Sequence, residues 1–230
     1  MAGTIFPAAQ RPSTAVAGIG DDHDDNIYSA LVLAHGGVGT QVIFVAGQGS
    51  PIPTLTGTAF TVANLPAHYI TYTPLTTMIQ QSGQLGNSTG DASVRAIGIT
   101  FDQAAVAADG TPRVFGATAF EVVDICSKTR VEIKLSNKRR ILGPTWTYPQ
   151  VGGAMGFTTA TATTLAGNGL FATGRRIASR FEIARTDVLT AEVTADAALA
   201  FSDISFATTH VGQATLLWVM MIATVRSDVR

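Results

Sequence analysis

The chain has 230 residues, of which 46% are hydrophobic and only 13% charged, with a net charge of -1. A soluble domain ordinarily carries about 25% charged residues, so the exterior is short of ions, and near-zero net charge favours association over dispersal. The single cysteine, Cys126, excludes an intrachain disulfide framework and a cysteine-based zinc cluster.

Residues 1–20, with Pro7, Pro12 and several glycines and alanines, read as an extended arm. The N-terminus shows no basic stretch followed by an apolar core, so a signal peptide is not expected and synthesis in a reducing cytoplasm is. Asp21, Asp22, Asp24 and Asp25, with His23 and Asn26, read as an acidic turn closing an arm over 1–26. Hard cations take several oxygen ligands, so these four aspartates are the candidate calcium ligands. The spacing is not that of an EF-hand, and solvated, self-repelling carboxylates are the plainer reading.

A β domain is expected over 27–230. Residues 27–34 and 40–46 are β-prone runs joined by His35-Gly36-Gly37-Val38-Gly39, which predicts a hairpin with a glycine-rich loop; a helix from Ile27 is the competitor. Strands follow near 55–63 and 67–73. Thr73-Pro74, with Gly83 beyond, predicts one short helix, and Asp102 before an alanine-rich stretch ending at Asp109-Gly110 predicts a second. A strand is expected over 94–101.

From Arg113 onward the pattern predicts strands over 113–126, 129–135, 139–148, 155–165, 169–173, 177–185, 187–195, 199–208 and 214–225. Close-spaced strands with turn residues between them indicate a sandwich or barrel. The last run is the longest: twelve uncharged residues, wholly apolar from Leu216 to Ile222. It is too short to span a bilayer as a helix, and its continuous rather than alternating pattern predicts a central strand covered on both faces. Phe120-Glu121-Val122-Val123 is faintly echoed by Phe181-Glu182-Ile183. The echo keeps a duplicated, two-barrel architecture open.

Between Arg113 and Arg185 eleven Lys or Arg stand against four Asp or Glu. In β-register Val131, Ile133 and Leu135 point one way and Arg130, Glu132 and Lys134 the other. With Lys128, Lys138, Arg139 and Arg140 these cations form a candidate phosphate-contact face, for genome or anionic lipid head groups. The alternative is a solvated strand face with inter-subunit ion pairs to the acidic N-terminal region. Arg175, Arg176, Arg180 and Arg185 make a second basic patch.

The histidines, His23, His35, His68 and His210, lack metal-ligand spacing. His35-Gly36-Gly37 resembles the oxyanion glycines of esterases, yet no Gly-x-Ser-x-Gly nucleophile motif exists. Gly47-Gln48-Gly49 and Gly167-Asn168-Gly169 are not phosphate loops. Cys126 reads as a small buried hydrophobe. No enzyme and no cofactor beyond the possible calcium is expected.

The layout of Thr40-Gln-Val-Ile-Phe-Val-Ala-Gly-Gln-Gly-Ser-Pro-Ile-Pro53, Arg140-Ile-Leu-Gly-Pro-Thr-Trp146 and the closing run 214–225 resembles the jelly-roll major capsid proteins of tailless, icosahedral, internal-membrane-containing bacteriophages. The resemblance implies an all-β jelly-roll sandwich or barrel with two short helices in its loops, with a compact double jelly roll as the alternative. It further implies self-assembly into a virion shell, with copies of the chain, other virion proteins, and genome or membrane head groups as partners. A phage tail-tube or decoration protein, or a carbohydrate-binding β-sandwich, are the competing readings.

Overall fold

The computed structural model describes residues 21–58, 60–80, 91–102, 115–117, 119–148, 156–159, 162–166, 175–184, 186–201 and 213–227. The expected arm 1–20, the second predicted helix and the expected strand 169–173 lie outside them, as does most of the expected strand 199–208.

The closing run is the centre of the molecule. Strand β11 (Ala214–Ser227) runs antiparallel between β1 (Asp21–Ala34) and β4 (Asp91–Phe101). With β3 (Thr54–Leu55) and β9 (Arg175–Ile183) they form a five-stranded sheet in the order β3-β1-β11-β4-β9. A second sheet has the order β2-β10-β5-β6, from β2 (Gly39–Ile43), β10 (Leu189–Ala195), β5 (Thr129–Leu135) and β6 (Lys138–Pro144). A separate hairpin joins β7 (Gly156–Thr159) to β8 (Ala162–Ala166). The two main sheets are open at their edges, so the described strands make one all-β sandwich and not a closed barrel.

Successive residues of a strand point to opposite faces. In β11, Leu217, Val219, Met221, Ala223 and Val225 enter the core shared with Val131, Ile133, Leu189 and Val193 of the other sheet. Leu216 turns the other way, into a second cluster with Ala30, Val32, Ile52, Leu65, Tyr69 and Tyr72. Ile52, Leu65, Tyr69 of helix α1 (Ala67–Ile70) and Tyr72, all between β2 and β4 in the chain, pack over that outer face. Trp218, partly buried there, donates its indole N–H to the Leu75 carbonyl at 3.2 Å. Apolar cover on both faces is why the run shows no alternation.

Three expectations are corrected. The expected hairpin of 27–34 with 40–46 does not form: β1 pairs with β11 and β3, whereas β2 pairs with β10 in the opposite sheet. The glycine-rich link is a crossover between layers, which lets Leu31, Leu33, Ile43 and Phe44 all enter one core. The expected acidic turn is the first third of β1, in register from Asp21↔Ser227 to Asn26↔Ile222. A distant partner strand supplies the backbone ladder, and that offsets the local repulsion that favours a turn.

The first predicted helix is also not where it was expected. Residues 73–77 form a turn, held by Thr76 N–H and Thr77 N–H to the Thr73 carbonyl (both 3.0 Å), after which Thr77 bridges to Ser29 on β1. Helix α2 (Ala119–Lys128) instead occupies a stretch expected as strand. Val122 and Ile125 are buried three residues apart, with Cys126 packed beside them, and Lys128 meets Asp124 one turn back at 2.6 Å. Phe120 therefore sits in a helix and Phe181 in a strand, so their sequence echo is not a structural repeat. Strands β5 and β6 pair directly, from Arg130↔Pro144 to Leu135↔Lys138. Ser136 and Asn137 both have positive φ (48° and 65°), the two-residue type I′ turn that suits strand twist.

Candidate functional site: the charged outer face of the four-stranded sheet

Strand β5 alternates as its sequence predicts, with Val131, Ile133 and Leu135 inside and Arg130, Glu132 and Lys134 outside. Register sets Glu132 directly opposite Glu192 of β10, a like-charge pairing that destabilises a sheet unless it is bridged. Two cations bridge it. Lys134 Nζ lies 2.5 Å from Glu192 and 3.8 Å from Glu132, and Arg139 Nε lies 2.6 Å from Glu132. The Arg139 hydrogen bond and the surrounding positive charges hold the Glu132 carboxyl below the usual carboxylate range.

The sequence-predicted phosphate contacts divide accordingly. Lys128 pairs with Asp124 at 2.6 Å and donates to the Ala198 carbonyl at 3.0 Å, and Arg130 approaches Asp196 at 3.6 Å. Lys134 and Arg139 are committed to the glutamates. Lys138 and Arg140, both exposed on β6, have no ion pair among the described residues. Just past β6, Trp146 is 67% exposed, while Tyr148 is buried. Any surplus positive charge on this face therefore collects along β6, an edge strand of its sheet, where cations also discourage unwanted pairing.

Of the four candidate calcium ligands, Asp24 and Asp25 do not converge. Asp24 and Asp25 are successive strand residues and so face opposite ways; Asp24 meets Arg95 Nη2 at 2.7 Å and accepts from Thr224 Oγ1 at 3.3 Å. Asp21 and Asp22 lie opposite Ser227 and Arg226 in the backbone register. Among the described residues no group of three or more His, Cys, Asp or Glu is placed to hold a metal ion.

The His35 loop is occupied by its own backbone. His35, Gly36 and Gly37 N–H groups donate to the carbonyls of Gln213, Leu199 and Ala34 at 3.1, 2.8 and 3.0 Å, which leaves none of them to hold an oxyanion. Burial pushes the Cys126 thiol up to about 12, the opposite of an activated nucleophile.

His35 also accepts the Phe201 N–H at Nδ1 (3.2 Å), and burial lowers its pKa. Between the ordinary histidine value of about 6.5 and the lower folded value, the unfolded chain binds more protons, so stability falls as pH drops through that window. In His35→Asn, whose amide oxygen can replace the acceptor, the urea midpoint is expected to vary less between neutral pH and the acid end of that window than in the parent.

Two buried polar links gave no sequence signal. The Tyr69 hydroxyl donates to the Asp102 carboxylate, and burial with that carboxylate raises the phenol pKa. Gln213 Nε2 donates to Glu121 at 2.9 Å and to the Gly116 carbonyl at 3.0 Å, which ties α2 to the start of β11. Among the described residues no helix is long and apolar enough to cross a membrane. Comparison with protein-family models, characterised proteins and solved structures finds no match to this chain.

Proposed function

We propose that the sandwich is a jelly roll and that the chain is a structural protein whose copies assemble into a closed icosahedral shell, the capsid of a virion. One observation carries this reading. When the short β3 and the β7–β8 hairpin are set aside, eight strands remain, and they pair first with last (β1·β11), second with seventh (β2·β10), third with sixth (β4·β9) and fourth with fifth (β5·β6). Nested pairing of this kind is what a long hairpin gives when rolled into two facing sheets, the jelly-roll arrangement found in capsid proteins. The low ionic content supports burial of much of the exterior against copies, since permanent interfaces are apolar and charge-poor.

Jelly rolls also serve lectins, and the two-thirds-exposed Trp146 favours a carbohydrate-binding sandwich as second reading. Size-exclusion chromatography with light scattering and negative-stain imaging, at low and high salt, separates them. Closed shells or capsomer-sized rings are expected. Open tubes point to a tail-tube protein, and a monomer at every concentration that binds a glycan array overturns the shell reading.

A further inference from the structure

The link from β1 to β2 is only four residues long, so these strands lie on the same side of the sandwich, and the strand orders then place β6 and β9 together at the far side. The far edge carries Lys138, Arg139 and Arg140 on β6 and Arg175, Arg176 and Arg180 on β9, against one acid on those strands, Glu182. The near side carries Asp21, Asp22, Asp24 and Asp25 on β1. Strand β3 flanks β1 only at Val32 and Leu33, with a further bridge at Ser29, so over residues 21–27 the described residues give β1 no neighbour on its outer side.

We infer that the acidic first third of β1 in one copy docks against the basic β6–β9 edge of the next, a head-to-tail contact between copies of this chain. The inference rests on the shell reading and specifies its contact. A copy is the fitting partner because both signs sit on one chain of net charge -1. Any acidic or basic stranger would satisfy one edge and leave the other unmet. Different patches meeting at each contact make it heterologous, the type that closes into rings when the rotation permits. The β5 cations Arg130 and Lys134 are already met by Asp196 and Glu192, and Arg139 of β6 by Glu132, so the contact falls to the other cations of the strand edges rather than to the sheet face.

The test is charge reversal on the full chain. Asp21→Lys, Asp22→Lys and Asp25→Lys together take the first residues of β1 from four negative charges to a net of +2, so both edges are positive; Lys138→Glu, Arg140→Glu and Arg180→Glu take the β6–β9 edge from a net of +5 to -1, so both are negative. Each triple variant alone, shown folded by circular dichroism, is expected to need at least about tenfold more protein to assemble, and an equal mixture of the two to recover assembly, most clearly at low salt where charges about 10 Å apart still interact. If the parent assembles and either variant assembles as readily, or if both fold and the mixture stays dispersed, the edge contact is overturned while self-assembly stands. A parent that never assembles overturns both.

Discussion

Truncation of Leu217 to alanine is expected to cost the fold about 2–5 kcal/mol, the range for a large aliphatic side chain lost from a packed interior. Leu217 is fully buried near the start of the central strand, with Leu31 of β1 and Phe101 of β4 as its lateral neighbours. All three enter the core between the sheets, so the missing methyl groups leave a hole that three strands would have to close together. Met220, three residues along, is half-buried on the opposite face between Tyr28 and Gly98. Met220→Ala should cost only about 1 kcal/mol, the middle of the range for single substitutions. Urea midpoints at constant slope measure both. Equal losses would mean that the two faces of β11 are covered alike, contrary to the separation of core and outer cluster.

That separation shows what was legible in the chain and what was not. Period-two alternation in 129–135 placed Arg130, Glu132 and Lys134 outside correctly, because β5 is packed on one face and open on the other. The unbroken apolar run of β11 announced cover on both faces for the same reason. The 27–34 and 40–46 runs were recognised as strands, but no local signal says whether a glycine-rich link turns back in the same sheet or crosses to the other. The competition was settled by β11, some 180 residues further on, which takes the place beside β1. The same distant partner turns four adjacent aspartates from an expected turn into strand. In α2, β-branched Val122, Val123 and Ile125 read as strand, yet the burial of Val122 and Ile125 with Val123 left exposed follows a helical period.

The candidate face was half visible. Which residues are cationic and outward was plain from the alternation. That Glu192 lies opposite Glu132, and so draws Lys134 and Arg139 into internal bridges, depends on the pairing of two strands far apart in the chain, Lys134 and Glu192 being 58 residues apart. A sequence count of charge therefore overstates what this face has left for an external anion. Exposed ion pairs are individually worth about 0–1 kcal/mol, so these bridges matter more for deciding where free charge remains than for stability.

Gly37→Ala carries the second large effect, and it probes the crossover that fixes which edges of the sandwich lie together. An added Cβ at Gly37 would stand 2.5 Å from the Leu55 carbonyl oxygen, 2.9 Å from its carbon and 3.0 Å from the Ala34 oxygen. Every one of these atoms is backbone, so no rotamer change relieves the clash. The chain at Leu55 is itself tied to β1 through the Val32↔Thr54 and Leu33↔Leu55 pairing, and Gly57 N–H donates to the His35 carbonyl at 3.1 Å. Room for the methyl group requires β3 to part from β1, an overpacking cost of about 1–3 kcal/mol. Gly49→Ala is the matched control: its φ of +87° disfavours a side chain, but nothing lies within 4 Å of the added carbon. Left-handed strain alone costs about 1–2 kcal/mol. Thermal and urea unfolding of the two variants should therefore differ in kind as well as size. Gly49→Ala shifts the midpoint only, whereas Gly37→Ala also disturbs how β1 lies over β2; if copies assemble as proposed, Gly49→Ala leaves the assembly threshold unchanged and Gly37→Ala raises it. A Gly37→Ala chain as stable as the parent would show that the strands do not approach this closely.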